Sequence, residues 1–329
     1  MHIRFLVPGN VRHGSGGNKY NTKLAEHLAD QGATVETATV DGGWPVGSPA
    51  DRRRFADVLD GGATVIADGL VASGAPDEIA GAVNAGTTVW ILSHMALAEH
   101  SDRESRALAA ASGVICPSFH AAAELKAKHG PLNIVVAQPG ADAAEAGTGS
   151  QPKHIVAVAA LLPNKSQTSL VQALATLKDL PWTAALIGSR DADPTYAAEV
   201  GAAVEHYGLE RRIRITGELA GAALQEQWHK ADLSVLVSQS EAFGLVVTES
   251  LAHGVPVLVR QGTGAVEALG NTGAGAVLDL SDPHNLAGTL RTWLTDPAVQ
   301  QRWRNAGLLA RTHLPGWDTT AATVLKALT

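Results

Sequence analysis

Short apolar runs typical of β-strands alternate with amphipathic stretches along the whole chain. This alternation predicts parallel sheets whose strands are joined by right-handed helical crossovers. Continuous apolar runs such as residues 113–116 are expected of strands that are covered on both faces. In the first half of the chain the predicted strands are residues 3–7, 34–38, 64–67, 87–92, 113–116 and 134–137, and the clearest predicted helices are residues 21–30 and 121–128.

A second strand–helix series fills the rest of the chain. Its predicted strands are residues 154–159, 184–187, 212–216, 233–237, 256–259 and 276–278, and its predicted helices are residues 169–178, 196–206, 225–230, 246–253, 282–294, 298–311 and a last one from Trp317. Between the two series, residues 142–152 are small or polar and show no periodicity, which predicts a linker. The pattern therefore predicts an α/β protein with two Rossmann-like, doubly wound parallel-sheet domains, residues 1–141 and 153–315, that face a cleft.

Composition and charge narrow the class of protein. The chain has 329 residues, of which 45% are hydrophobic, enough for two cores and too many for a disordered chain. Its formal charge of −7, from 25 basic and 32 acidic residues, argues against a nucleic-acid partner. The single Cys116 cannot form an intrachain disulfide, and the sequence shows neither a signal peptide nor a long apolar span. We therefore expect a cytoplasmic protein; membrane association stays open, with no residue pattern that supports it.

A glycine-rich segment follows the first predicted strand and opens a helix. It reads Gly-Ser-Gly-Gly-Asn-Lys from residue 14 to residue 19 and departs from the dinucleotide fingerprint, because Lys19 stands where that pattern needs glycine. Gly16 and Gly17 would still let backbone N–H groups approach an anion at the positive end of a helix. A tight strand–helix turn explains this segment equally well.

The clearest candidate site lies in the second half, where Glu-Ala-Phe-Gly-Leu-Val-Val-Thr-Glu runs from the predicted strand 233–237 into the helix 246–253. Gly244 allows close backbone approach where that helix begins, and the free N–H groups near Leu245 and Val246 could hold a diphosphate. Glu249 lies one turn into the helix, where a carboxylate can accept two ribose hydroxyls. Glu241 precedes the turn and would project toward a sugar. The alternative is that both acids are helix-terminal charges favoured by the helix dipole.

These residues resemble the signature of the retaining glycosyltransferases of family 4, which have the two-Rossmann GT-B architecture. The resemblance rests on the Glu-x7-Glu element from Glu241 to Glu249 and on the Ser-Leu-Ala-His-Gly-Val-Pro-Val that follows it. Further landmarks occur in order along nearly the whole chain: Gly16-Gly17, Ser93-His94, Pro139-Gly140-Ala141-Asp142, the loop 158–166, Ile187-Gly188, Thr216-Gly217, Gly264-Ala265-Val266-Glu267 and the terminal helix from Trp317.

The resemblance implies a function and a role for each domain. The chain would move a hexose from a nucleotide-diphosphate sugar, a UDP-sugar slightly favoured, to an acceptor hydroxyl with retention of configuration, and without a metal or another cofactor. Residues 1–141 would form the acceptor-side domain, residues 153–315 would bind the nucleotide sugar, and the helix 316–329 would pack back on the first domain. The acceptor itself is not determined; the segments expected to contact it are residues 10–18, 42–48 and 69–75.

The resemblance also assigns roles to individual residues. Lys165 and the N–H groups of the Phe243–Val246 turn would stabilise the departing diphosphate, which is where charge builds up. Glu241 would orient donor-sugar hydroxyls, Glu249 would hold the ribose, and His94 would bind the donor sugar or polarise the reaction face. The alternatives are a solvated loop lysine at 165 and a core histidine at 94. Asp191 and Asp193 form an Asp-x-Asp, which we interpret as loop residues and not as a manganese site.

One departure from the family pattern concerns the diphosphate loop. The family usually pairs an arginine with the lysine of this loop, but the arginine position holds Ala160. Another cation could substitute, with Arg190, Lys19 and Arg12 as candidates; otherwise donor affinity is weak or catalysis is impaired. Two other functions therefore stay open: a nucleotide-sugar epimerase or phosphorylase of the same architecture, and a non-catalytic nucleotide-sugar-binding protein.

Overall fold

The structure, a computed structural model, describes residues 1–11, 14–59 and 64–329. The chain forms two compact units. One is formed mainly by Gly16–Gly140 together with the first strand and Pro315–Thr329, and the other by Ala141–Leu314. Arg12, one of the candidate cations, lies outside the described residues.

The first unit is an α/β layer structure built on a six-stranded parallel sheet. Its elements are β1 His2–Pro8, α1 Gly16–Asp30, β2 Thr34–Val40, α2 Pro49–Leu59, β3 Thr64–Asp68, α3 Gly69–Gly74, α4 Pro76–Asn84, β4 Val89–Leu92, α5 Ser101–Ala110, β5 Gly113–Cys116, α6 Phe119–His129 and β6 Ile134–Val136. The strand order is β2-β1-β3-β4-β5-β6. β3, β4 and β5 lie inside the sheet and are buried almost throughout, which explains their uninterrupted apolar sequences.

The expectation that residues 69–75 form a loop was wrong, because most of the segment is the helix α3. Asp68 caps α3 by accepting a hydrogen bond from the Leu70 N–H, and the helix from Val71 to Gly74 is buried. Residue Pro76 then begins α4 directly after Ala75. The segment is short and rich in small residues, so it carries no long apolar periodicity that would predict a helix. The segment 10–18 is also partly helical, since α1 begins at Gly16.

The second unit contains another six-stranded parallel sheet, of order β12-β11-β10-β7-β8-β9. Its elements are β7 Lys153–Val158, a 3₁₀ turn Pro163–Lys165, α7 Gln167–Ala175, β8 Trp182–Ile187, α8 Pro194–His206, β9 Ile213–Gly217, α9 Gly221–Lys230, β10 Leu233–Leu236, α10 Leu245–Ala252, β11 Val257–Arg260, α11 Ala265–Leu269, β12 Gly275–Leu278, α12 Asn285–Thr295 and α13 Pro297–Ala310. The two sheets, each flanked by helices, confirm the predicted fold class of two Rossmann-like, doubly wound parallel sheets.

Successive residues of the central strands of the second unit enter different cores. In β8, Leu186 belongs to an apolar cluster with Trp182 and Trp293, whereas Ile187 belongs to another cluster with Trp228. Because side chains alternate across a strand, both faces of the sheet are covered. The loops at the carboxyl ends of these strands are therefore held on a rigid base.

The predicted linker has no helix or strand from residue 141 to residue 152. It is nevertheless held firmly on the second unit. Arg311 donates to the carbonyl oxygens of Ala144 and Ala252, and Arg304 donates to those of Gly147 and Gly254. Arg304 in α13 and Arg311 directly after it thus fasten the segment to the C-terminal end of α10.

The last helix of the chain, α14 (Trp317–Leu328), packs within the first unit. The Trp317 ring meets Tyr20 edge-on with ring centroids 5.5 Å apart, and the Thr320 hydroxyl donates to the Gln138 carbonyl oxygen at 2.7 Å. Gly140 lies against the first residue of this helix, where an added Cβ would overlap the Trp317 backbone nitrogen. Within residues 1–11, 14–59 and 64–329, every helix is too short or too polar to span a lipid bilayer.

We expect Gly140→Ala to lower the free energy of unfolding by about 1–3 kcal/mol, because the methyl group would force the backbone at Trp317 to move. The matched control is Gly81→Ala in α4, where an added Cβ meets nothing within 4 Å. Gly81→Ala should raise the free energy of unfolding by roughly 0.5–1 kcal/mol, since alanine has the higher helix propensity. Urea unfolding measures both; equal stabilities for Gly140→Ala and the wild type would contradict the packing of α14.

Candidate functional site

The turn between β10 and α10 is held in shape by two glycines. Gly244 has φ = 88° and caps α10, and a Cβ there would lie 3.2 Å from both the Leu236 and the Ala265 side chains. Gly264 donates its N–H to the Glu241 carbonyl oxygen at 2.7 Å and leaves no room for a Cβ beside the Ala242 carbonyl. The backbone therefore enters α10 along a fixed path. The first amide groups of the helix have no acceptor within it and lie at its positive end.

Two predicted site residues that are far apart in sequence form an ion pair here. Lys165 ends the 3₁₀ turn after β7, and its Nζ donates to Glu241 Oε1 at 2.7 Å. The side chains are only 20% and 13% exposed, so screening by water is reduced. The Gln239 N–H donates to the Asn164 carbonyl oxygen at 2.7 Å, which ties the two loops together. The pair is thus set by the backbone as well as by charge.

The other predicted residues of this turn have different surroundings. Phe243 is 7% exposed and packs in an apolar cluster with Val247 and Leu251, so its ring is part of the core. Leu245, Val246 and Glu249 are half-buried, and the Glu249 carbonyl oxygen accepts from Nδ1 of His253 at 2.8 Å. A ligand at this turn would therefore meet backbone groups and carboxylates more than aromatic surface.

The surroundings of Ala160 single out one of the candidate cations. The next residue, Leu161, donates its N–H to the Ser189 carbonyl oxygen at 2.9 Å, and Arg190 follows directly and is exposed. Gly188 sits against the Ala159 carbonyl so closely that no Cβ fits. Arg190 is therefore carried on a loop bonded to the segment that holds Ala160. Lys19, in contrast, belongs to α1 of the first unit.

His94 lies in a polar cluster of the first unit, directly after β4 and Ser93. Its Nε2 is 2.9 Å from Asn21 Oδ1 and 3.6 Å from Asp68 Oδ2, and Tyr20 meets its ring edge-on at 5.4 Å. A Cβ on Gly17 would come within 3.1 Å of the ring. The structure therefore brings the predicted residues Gly17 and His94 together, with Gly16 beside them as the first residue of α1.

Asp68 and Asn21 were missed by the sequence analysis. Burial alone would raise the pKa of Asp68, but the neighbouring His94, the Asn21 side chain and the Leu70 N–H together hold that pKa below its ordinary value. Asp68 is therefore a carboxylate. A signal was present: Asp68 ends an apolar strand at the edge where such sheets bind ligands, and Asn21 lies one helical turn after Gly17.

The Asp-x-Asp element has a structural role. The Asp193 side chain accepts from the Tyr196 N–H at 2.9 Å and caps α8. Among the described residues, no group of three or more His, Cys, Asp or Glu side chains is placed to hold a metal ion.

The family match falls on the second unit. The family described as Glycosyl transferases group 1 matches residues 141–309. A D-inositol 3-phosphate glycosyltransferase of Kineococcus radiotolerans is 28% identical over 227 residues, which cover 60% of this chain and 51% of the relative. A glycogen synthase of Mycobacterium tuberculosis is 36% identical over 111 residues, or 34% of this chain and 27% of the relative. The chain thus spans about half, or less, of the length of these relatives.

Solved structures resemble the whole chain in fold. Sucrose-phosphate synthase from Thermosynechococcus elongatus has a TM-score of 0.83 at 18% identity and covers 99% of this chain and 98% of its own. Anabaena Alr3699/HepE, in complex with UDP and glucose, has a TM-score of 0.81 at 19% identity, covering 100% and 99%. These likenesses agree with the predicted GT-B-type fold.

Proposed function

This chain belongs to the family of glycosyl transferases group 1, and on that premise we propose that it moves a hexose from a nucleotide-diphosphate sugar to an acceptor hydroxyl. We further propose a UDP-sugar donor, retention of configuration and no required metal. The observation that carries the proposal is the Lys165–Glu241 ion pair beside the N-terminus of α10. A cation and free amides suit a diphosphate, and the carboxylate suits sugar hydroxyls.

The ion pair gives a physical reason for selective binding. Without a ligand, Lys165 and Glu241 compensate each other, so neither half-buried charge is left unpaired. A nucleotide sugar supplies both missing partners: its diphosphate pairs with Lys165, and a hydroxyl of its sugar donates to Glu241. A ligand that offers only an anion would leave the Glu241 carboxylate unpaired. The site therefore favours ligands that combine a phosphate with a hydroxyl-bearing sugar.

The chemical step breaks the bond between the anomeric carbon and the diphosphate oxygen. The diphosphate leaves with the electron pair, and charge accumulates on it in the transition state, where Lys165 and the amides at Gly244–Val246 stabilise it. The acceptor oxygen bonds to the anomeric carbon on the face that the diphosphate leaves, and its proton passes to the leaving phosphate oxygen. Glu249 holds the ribose hydroxyls, and His94 hydrogen-bonds the donor sugar.

Arg190 is proposed as the cation that replaces the arginine absent at position 160. The support is its loop, since the Leu161 N–H binds the Ser189 carbonyl at 2.9 Å and places the two segments side by side. Because the Arg190 side chain is long and exposed, it can reach toward a bound diphosphate without a backbone change.

The function is tested with a thermal-shift panel of UDP-glucose, other UDP-hexoses, GDP-mannose and ADP-glucose. A ligand that binds only the native state raises Tm, and at 100 times its Kd it stabilises that state by about 2.7 kcal/mol. Since a UDP-sugar is the proposed donor, we expect a UDP-sugar to raise Tm most. D-Inositol 3-phosphate and glycogen, which appear in the relatives' names, serve as first acceptors. NMR of the product should show the donor's anomeric configuration.

The outcomes of the panel separate the alternatives. If no nucleotide sugar raises Tm, the proposal fails. Binding without transfer or hydrolysis would instead support a binding protein. Conversion of the donor without an acceptor would support an epimerase.

We expect Lys165→Ala to lower kcat by roughly 10²–10³-fold, because it removes about 2.7–4 kcal/mol of leaving-group stabilisation. Glu241→Ala and Glu249→Ala should weaken donor binding. The matched control is the exposed pair Lys230–Glu226 on α9, whose alanine variants should retain wild-type turnover. Steady-state kinetics and donor titration measure these effects. Undiminished binding and turnover in both glutamate variants would place the donor site elsewhere.

We expect Arg190→Ala to lower kcat by about 10–100-fold, as the loss of one charged contact to the leaving group implies. Adding Ala160→Arg in the same chain should restore part of that rate, since it supplies the cation from the usual position. Arg302→Ala, an exposed arginine of α13, is the control. If Arg190→Ala turns over like the wild type, Arg190 takes no part in the reaction.

A further inference from the structure

Three side chains of the first unit form a buried hydrogen-bonded chain at the ends of β3 and β4. Asp68 is 3% exposed and Asn21 is 4% exposed, and the His94 side chain is 21% exposed. Asn21 bonds to both of the others, with Nδ2 2.8 Å from Asp68 Oδ2 and Oδ1 2.9 Å from His94 Nε2, and Asp68 Oδ2 itself lies 3.6 Å from His94 Nε2. Of these three side chains, only His94 reaches solvent.

The direction of each hydrogen bond is fixed from the buried end. Asp68 is ionised and can only accept; its Oδ1 accepts the Leu70 N–H at 2.9 Å, and its Oδ2 accepts from Asn21. Asn21 must therefore turn its amide nitrogen toward Asp68 and its oxygen toward His94. Since that oxygen can only accept, the proton of the bond belongs to His94 Nε2.

A neutral imidazole protonated at Nε2 carries a lone pair at Nδ1. Among the described residues, no side chain or backbone group forms a hydrogen bond with His94 Nδ1. The ring is held by the Asn21 bond and the Tyr20 contact, and Gly17 leaves its face free of a side chain. The exposed end of the cluster is thus an oriented hydrogen-bond acceptor.

We propose that Asp68 and Asn21 are positioning residues that hold His94 as the Nε2–H tautomer, so that Nδ1 accepts a hydrogen bond from a carbohydrate hydroxyl. The inference rests on the proposed function and adds a specificity to it. A neutral lone pair attracts an O–H group and repels a phosphate oxygen. The His94 ring therefore binds a carbohydrate hydroxyl in preference to a phosphate oxygen.

Asp68→Asn tests the mechanism, because it keeps the shape of the side chain and reverses the direction of the hydrogen bonds that run from residue 68 through Asn21 to His94. The Leu70 N–H requires the new amide oxygen to remain at the Oδ1 position, so its NH₂ group faces Asn21. Asn21 must then turn its oxygen toward residue 68 and its NH₂ toward His94. His94 Nε2 would become the acceptor, and the proton would move to Nδ1.

Long-range proton–nitrogen NMR of ¹⁵N-histidine-labelled protein reads the tautomer directly, at a pH where the ring is neutral. The His94 signals are assigned by their loss in His94→Gln. We expect the Nε2–H tautomer in the wild type and the Nδ1–H tautomer in Asp68→Asn. Asp193→Asn is the matched control: it changes a helix-capping aspartate, where asparagine caps equally well, and should leave the His94 spectrum unchanged. A wild-type Nδ1–H tautomer, or no switch in Asp68→Asn, would overturn the inference.

Kinetics test the role of the hydroxyl. Asp68→Asn should lower kcat/KM by about 10–100-fold through an unmade hydrogen bond, while the affinity for free UDP, which lacks the sugar, stays unchanged. A tautomer switch with unchanged kcat/KM would overturn the hydroxyl contact alone. Should the wild type bind a nucleotide sugar but transfer nothing, the proposed transfer fails separately. In that case the readout is the ratio between the Kd of the nucleotide sugar and the Kd of UDP. If this ratio is the same in Asp68→Asn and in the wild type, the hydrogen bond between His94 and the sugar hydroxyl is refuted.

Discussion

The ion pair between Lys165 and Glu241 is the interaction on which the rest of the candidate site depends. A lysine and a carboxylate that are only 20% and 13% exposed lose much of their hydration, and each is costly to leave without a partner. Pairing them removes that cost in the free protein. It also keeps, within 2.7 Å of each other, the two charges that a diphosphate and a sugar hydroxyl would need.

Backbone constraints hold this pair in place. Gly244 takes a left-handed conformation at the start of α10, and Gly264 closes against the Ala242 carbonyl, so the turn that carries Glu241 has one path. On the other side, the Gln239–Asn164 bond fixes the loop that carries Lys165. At the far end of α10, Arg304 and Arg311 hold residues 144 and 147. A helix fixed at both ends presents its first amides in a constant direction, which is how a preorganised site differs from a flexible one.

Much of the fold could be predicted, and the reason is burial. Each predicted strand lies within two residues of an observed one. The interior strands β3, β4 and β5 were clear because strands covered on both faces have uninterrupted apolar sequences, whereas the largely exposed edge strand β2 carries polar residues. The helices that were missed include α3 and α11, which have few residues and therefore little periodicity. The same lack of periodicity makes the segment 69–75 resemble a loop in the sequence. The segment 142–152, predicted as a linker, has no helix or strand, and its long-range arginine contacts left no local signal.

The sequence by itself determined the α/β class, the position of the Glu241–Glu249 turn and the identity of its glycines, because these depend on local periodicity and on residues adjacent in the chain. Only the tertiary structure decided that Lys165 pairs with Glu241, that Arg190 is carried beside Ala160, and that Asn21 hydrogen-bonds both Asp68 and His94. Such contacts join residues from different strand–helix units, and their distances are set by how the strands order themselves in the sheet. No spacing along the chain encodes that strand order. The sequence therefore indicates what chemistry a residue can perform, but it does not identify the residue that will lie beside it.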